Sequence, residues 1–336
     1  MLVQRPLLFQ FGPMPAAATA QPVIVLAGPT ASGKSGVALA LAQALDGVVI
    51  NADSMQVYAD LRIVTARPTP AEEAVVPHRL YGVLSAERPC SAASWVDMAL
   101  AEIARAQANG QQPILVGGTG LYLKALTEGL NQVPPVPAHI RQATRELHEQ
   151  LGGLAFHEQL SHWDPAMARR LNPGDTQRLI RAWEVMAATN RSLADWQADD
   201  AVGPPAGMRF DLHLLMPPRE RLYVQCDARF LAMIDEGALD EVAVLSARNL
   251  SPDLPAMKAV GVPELRAHLA GKTDLPTAIA KAQQATRNLA KRQFTWFRNQ
   301  VSTERTGSTV HASHVYGAQH SESLTAEILK NIRKSR

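Results

Sequence analysis

Short apolar runs alternate with longer amphipathic stretches from Val23 to about Gly129, the pattern of a parallel sheet flanked by helices. Val23–Ala27 reads as a buried strand, and residues 36–45 as the helix that follows it. Residues 48–51 and the Pro-Ile-Leu-Val run at 113–116 read as further strands. A helix is expected over 94–108, capped by Ser94, with Asp97 three residues on and Gly110 beyond its end. Another is expected over 119–128, stopping at Gly129.

The alternation then breaks. Residues 131–137 hold three prolines and read as a linker. From 139 to 197 the signals are helical, a second segment with Pro and Gly covers 198–207, and residues 210–216 look like a strand returning to the sheet. The expected organisation is an α/β core of P-loop type, 22–133 with 208–336, interrupted by an inserted helical subdomain at 134–207 with a hinge on either side.

Candidate chemistry lies between the first strand and its helix. Gly28, Pro29, Thr30, Ala31, Ser32, Gly33, Lys34 and Ser35 complete the pattern G-x-x-x-x-G-K-[ST] in the strand–loop–helix setting that gives it meaning. Backbone N–H groups and the helix N-terminus cradle phosphate oxygens. Gly28 and Gly33 permit the tight backbone, Lys34 adds a charge on the phosphates, and Ser35 is placed to hold a magnesium ion. In ordinary nucleotide hydrolases an apolar strand ending in Asp helps hold that ion. Here the 113–116 strand runs into Gly117-Gly118-Thr119-Gly120 instead. The 48–51 strand leads to Ala52-Asp53-Ser54, which sets Asp53 at a strand's carboxyl end beside the loop. That suits phosphate or diphosphate transfer to an acceptor near Asp53 and argues against a motor or a switch. A cap or turn role accounts for Asp53 equally well at this point.

Composition narrows the class. A chain of 336 residues, 46% hydrophobic and 19% charged, suffices for a large globular α/β domain plus a smaller one. The longest apolar stretch, 36–50, is interrupted by Gln43 and Asp46 and is too short to cross a bilayer. Cys90 and Cys226 form neither a disulfide framework nor a four-cysteine zinc site. His157-Glu158 with His162 is one residue too long for H-E-x-x-H. Residues 1–21 read as a disordered extension that faintly resembles a secretory signal, with a start near Met14 and a cytoplasmic setting expected.

The net charge is only +2, but it is unevenly placed. Residues 281–300 carry Lys281, Arg287, Lys291, Arg292 and Arg298 and no acidic residue. At helical period, Ile279, Ala282, Leu289, Ala290, Trp296 and Phe297 form one apolar arc. Arg287, Lys291 and Arg298 border it on one side, Lys281 and Arg292 on another. Arg169-Arg170, Arg178 and Arg181 add positive charge to the insert. Such stripes fit nucleic-acid phosphates or, equally, a solvated face.

Taken in order, the segments resemble the bacterial tRNA dimethylallyltransferases, also called tRNA isopentenyltransferases. The resemblance rests on the phosphate loop and on Asp53-Ser54-Met55-Gln56-Val57-Tyr58, Thr65-Ala66-Arg67-Pro68 and Pro77-His78-Arg79-Leu80. It continues through Val116-Gly117-Gly118-Thr119-Gly120-Leu121-Tyr122, Asp175-Thr176-Gln177-Arg178, Arg181-Ala182-Trp183-Glu184 and Thr286-Arg287-Asn288-Leu289-Ala290-Lys291-Arg292-Gln293. It covers most of residues 23–300.

The resemblance implies transfer of dimethylallyl from its diphosphate to the exocyclic amine of the adenosine just 3′ of a tRNA anticodon, by a cytoplasmic monomer using Mg2+. It implies that the phosphate loop, Lys34 and Ser35 hold the diphosphate, that Asp53 is the general base, that Thr119 lies near the breaking bond and that Arg229 contacts the diphosphate. Asp53, Ser54, Met55 and Gln56 would border the flipped-out adenine. Contacts to tRNA are implied for Gln177, Arg178, Leu179, Ile180 and Arg181, for Lys258 and residues up to 263, for Arg287, and for the 291–298 stretch with Lys291, Arg292 and Arg298.

Val64, Gln225-Cys226 and Val262-Pro263 depart from the family's usual residues. None replaces Lys34, Asp53, Thr119 or Arg229. Three other readings share parts of the pattern: a small-molecule kinase, an isopentenyltransferase acting on free adenine nucleotides, and a non-catalytic RNA-binding protein. The first two have no use for the basic helices, and the third has none for an intact phosphate loop with Asp53 and Thr119.

Overall fold

The computed structural model describes residues 21–303, 310–318 and 321–335; nearly all of the expected N-terminal extension lies outside them. The chain divides into two compact units, one of residues up to Leu123 and from Pro205 onward, the other of Lys124–Pro204. The second unit begins ahead of the proline-rich segment because its two ends are tied together: Leu130 and Val202 exchange backbone hydrogen bonds of 3.3 and 3.0 Å.

The first unit is built on a six-stranded sheet. Its strands are β1 (Val23–Ala27), β2 (Gly47–Asn51), β3 (His78–Arg79), β4 (Gln112–Gly117) and β5 (Phe210–Leu215), with β8 (His314–Tyr316) at one edge. The short β6 (Val301–Ser302) and β7 (Val310–His311) pair with each other. The order is β3-β2-β4-β1-β5-β8 and all these pairings are parallel. A parallel sheet is covered on both faces, which is why β1 is an unbroken apolar run and β2 is apolar up to Asn51, both buried at every position. Register sets Ala27 beside Gly117 and Asn51 beside Val116, so the carboxyl ends of β1, β2 and β4 meet. Edge strands as short as β3 and β8 carry too few residues for a period to show in sequence.

The helix after β1 is Lys34–Leu45 and starts directly from Gly33. The helix expected over 94–108 is Ala92–Ala108, and its cap is Ser91 rather than Ser94: the Ser91 hydroxyl accepts the Ser94 N–H at 3.0 Å. Trp95 on this helix is fully buried, donates Nε1–H to the Asn51 carbonyl at 2.9 Å and stacks on Tyr122. The helix is thereby pinned to the end of β2. On the other side of the sheet, Leu324, Ile328 and Ile332 of the helix Glu322–Ser335 join Leu41 and Ile24 in one core.

The second unit is helical: Ala138–Trp163, broken at Gly152, then Pro165–Ala168, Thr176–Thr189 and Leu193–Trp196. Phe156, Leu160, Leu179 and Val185 fill its core. His157 bonds the carbonyls of Ala168 and Leu171 at 3.0 Å each, which makes it a packing histidine. Among the described residues no helix is long and apolar enough to cross a membrane.

Candidate active site

The loop leaving β1 is shaped by its backbone. Gly28 has φ of +149°, and a Cβ there would lie 2.3 Å from the Leu215 carbonyl oxygen of β5, so only glycine passes. Ala31 and Gly33 follow at φ of 63° and 86°, turning successive N–H groups into a concave anion-binding nest. Lys34 folds back over this nest, its ammonium donating to the Pro29 carbonyl at 2.6 Å and to the Ser32 hydroxyl at 3.3 Å. Burial pushes the Lys34 ammonium down to about 7; the Asp53 charge opposes this and the Arg229 charge adds to it. The residue as a whole is half-buried, and it is the ammonium that is enclosed.

Asp53 is held from its own strand. The Asn51 side chain accepts the Asp53 N–H at 2.8 Å and donates to the Asp53 carbonyl at 3.0 Å and to the Leu80 carbonyl at 3.1 Å. One carboxylate oxygen of Asp53 accepts the Met55 N–H at 2.9 Å, so the residue closes a turn as well as lining the cavity described below. The Thr119 hydroxyl, after β4, accepts the Ser54 N–H at 2.9 Å and donates to the Ser54 hydroxyl at 3.3 Å. Thr119 thus braces the Asp53 loop from β4 and does not itself line the cavity.

Two further elements close the site. Arg229, on the helix Arg219–Asp235, donates to the Thr30 hydroxyl, and burial lowers its pKa without discharging it. Gln293, on the helix Leu275–Gln300, accepts the Thr30 N–H at 2.7 Å and donates to the Gly118 carbonyl at 3.0 Å. It bridges the loops after β1 and β4. The resemblance placed Gln293 only within the 291–298 stretch implied to contact tRNA, yet a signal for an inward role was there: it falls three residues after Ala290 and three before Trp296, a polar side chain on the apolar arc.

The result is a cavity of about 730 Å³ whose wall includes Thr30, Lys34, Ser35, Asp53, Gln56, Arg229 and Gln293. A niche of about 70 Å³ adjoins it and shares Thr30, Asp53, Thr65, Arg229 and Met233; the rest of its wall is mostly apolar, with Met55, Val64, Phe230 and Leu289. The phosphate loop, Asp53, Met55, Gln56 and Arg229 therefore converge.

The residues expected to meet tRNA fall into distinct groups. Leu179 is fully buried and packs the core of the helical unit. Gln177 and Arg178 beside it are exposed, while Ile180 and Arg181 are half-buried, with Arg181 3.8 Å from Glu184. Arg287 is ion-paired with Asp227 at 2.5 Å, and Lys258 with Asp253 at 3.1 Å. Lys291, Arg292 and Arg298 are exposed.

Comparison with known proteins places this geometry. The family model described as IPP transferase matches residues 56–300. The tRNA dimethylallyltransferase of Rhodospirillum centenum is 57% identical over 285 residues, covering 85% of this chain and 91% of the relative. Among solved structures, the full-length tRNA isopentenylpyrophosphate transferase from Bacillus halodurans is 28% identical, with a TM-score of 0.63 over 94% of this chain and 97% of that one. A eukaryotic dimethylallyltransferase acting on tRNA has a TM-score of 0.68 at 26% identity, over 82% of this chain and 70% of that one. With most of its length inside the family model and more than half of its aligned residues shared with a bacterial relative, the chain belongs to the IPP transferase family of tRNA dimethylallyltransferases.

Proposed function

We propose that this protein transfers a dimethylallyl group from dimethylallyl diphosphate to the exocyclic amine of the adenosine immediately 3′ of the anticodon in tRNA, releasing diphosphate. The observation that carries the reading is the seam at Thr30, Asp53 and Arg229, where a phosphate cradle meets a small apolar niche. An anionic head and a short branched hydrocarbon suit the two sides, with a carboxylate beside the junction. The names of the relatives supply the tRNA acceptor.

The diphosphate lies on the loop N–H groups with Lys34 and Arg229. As the allylic C–O bond breaks, its electron pair passes to the diphosphate oxygen, and these positive groups stabilise the charge that develops there. The adenine amine forms the new C–N bond, and the proton it sheds passes to the Asp53 carboxylate. Ser35, exposed at the helix start and lining the cavity, is the hard oxygen donor that would hold Mg2+ beside the diphosphate. When bound, the ion supplies charge neutralisation on the leaving group. Thr119 acts by bracing Ser54 and with it the Asp53 loop. The helical unit, through Gln177 and Arg178, and the exposed Lys291, Arg292 and Arg298 hold tRNA phosphates. We assign the reaction to the cytoplasm, with its tRNA.

Labelled dimethylallyl diphosphate supplied with tRNA, AMP or ATP tests this. Label is expected on tRNA alone. Label on AMP or ATP would replace the reading with a free-nucleotide isopentenyltransferase, and ADP formed from ATP would replace it with a kinase.

A further inference from the structure

We propose that Glu241 is a positioning residue for the acceptor base: it holds the 61–67 turn, whose carbonyls orient the Gln56 amide toward the cavity. This rests on the function proposed above. Glu241 lies in the first turn of the helix Ala238–Ala247. Its carboxylate accepts three successive backbone N–H groups from a distant segment: Arg62 at 2.6 Å, Ile63 at 2.8 Å and Val64 at 3.0 Å. Hydrogen bonds to an ionised acceptor are the stronger kind. Just past the same helix, Arg248 pairs with Asp60 and with Glu87, so the 60–64 segment is gripped from both ends of one helix.

The gripped turn is unusual. Ala66 donates to the Ile63 carbonyl and Arg67 to the Arg62 carbonyl at 2.9 Å each, and the Thr65 hydroxyl donates to the Leu61 carbonyl at 2.7 Å. Ala66 sits at φ of 53°, a left-handed conformation that persists in a non-glycine residue when its surroundings over-determine it. The outcome is that the Thr65 and Ala66 carbonyls converge on the Gln56 side-chain nitrogen at 2.8 and 2.9 Å. Two carbonyl oxygens are met only by the NH2 end of an amide, so the Gln56 oxygen is the end left for the cavity it lines. An acceptor there suits the amine-bearing edge of adenine and opposes a base with a carbonyl in that place. Glu241 itself lines neither cavity, so its influence runs through the turn.

Glu241→Gln keeps the shape but replaces one acceptor oxygen with an NH2 group that faces N–H donors. It is expected to lower kcat/KM for tRNA by roughly tenfold, with a smaller rise in KM for dimethylallyl diphosphate, because Val64 and Thr65 of the same turn also line the apolar niche. In a Gln56→Leu background the same substitution should cost less than about twofold, the non-additivity expected of a shared route. An anticodon stem-loop with inosine in place of the target adenosine, a carbonyl for an amine, should compete poorly against wild type. Relative to the adenosine loop it should compete better against Glu241→Gln. Equal losses in both backgrounds, a loss that follows the diphosphate KM, or unchanged discrimination against inosine would overturn the proposal. Glu241→Asp, which keeps the charge and shortens the reach, serves as the second variant if Glu241→Gln does not fold. Wild-type protein that labels no tRNA would overturn both readings, and it is distinguishable because no variant is needed to see it.

Discussion

With the proposed function, Lys34 is expected to set how diphosphate binding responds to pH. Enclosure in its own loop pushes its ammonium from 10.5 down to about 7. A bound diphosphate brings opposite charge to that ammonium and drives its pKa back up. Below pH 7 the free protein already carries the charged form, and binding needs no proton. Above pH 7 the free protein has lost the proton that the complex holds. Affinity is therefore full at low pH and falls by about tenfold per unit above pH 7, until the pKa of the complex is reached. At pH 8 about nine-tenths of free Lys34 is neutral, so binding takes up about 0.9 proton and weakens by about 1.4 kcal/mol. Titration calorimetry with dimethylallyl diphosphate in two buffers of different ionisation enthalpy measures that uptake. Lys34→Met removes the titrating group and leaves the ligand's own protonation in place, so the difference between the two proteins isolates Lys34. Uptake at pH 8 no larger in wild type than in Lys34→Met would refute the reasoning. Without ligand the sign also carries to folding. Between pH 7 and 10.5 the unfolded chain holds a proton that the folded one lacks, so wild-type stability relative to Lys34→Met should rise with pH across that window.

Asp53→Asn preserves shape but does not accept a proton; single-turnover transfer at saturating substrates should fall by roughly two to four orders of magnitude, and a near-wild-type rate would remove Asp53 as the base. Gln293→Leu strands the Thr30 N–H and the Gly118 carbonyl, and thermal unfolding should report a loss of about 1–3 kcal/mol together with weaker diphosphate binding. Lys291→Ala with Arg292→Ala should flatten the salt dependence of tRNA affinity by about two units of log–log slope before the single-strand correction, whereas Arg287→Ala should change it less, because that guanidinium already neutralises Asp227. Leu179→Ala should destabilise the helical unit by about 2–5 kcal/mol, and a change in tRNA affinity without loss of stability would contradict its burial.

Much of the site was legible because its chemistry is local. The phosphate loop works through consecutive backbone N–H groups between one strand and one helix, so its residues announce it. Asp53 follows β2 at the sheet's carboxyl edge, where parallel strands gather their ligands, and the alternating apolar runs already implied parallel strands. Leu179 was legible too: with Ala182 and Val185 it keeps helical spacing on the buried face of Thr176–Thr189. The Ser91 cap was also within reach, three residues ahead of Ser94, where a helix start places it.

The rest belongs to tertiary structure. Arg287 reads as a free cation until folding sets it on Asp227, and Gln293 as a polar side chain on an apolar arc, its partners unnamed, until folding sets it between Thr30 and Gly118. Glu241 looks like one more acidic residue in a helix's first turn, and its three N–H partners lie far back in the chain. The physical reason is the same in each case. The chain's own periodicity determined strands, helices and the phosphate loop, because those depend on neighbours within a few residues. Which polar group satisfies which across tens to hundreds of residues is decided only when helices and loops dock, since a buried donor or acceptor takes the partner that packing brings within reach.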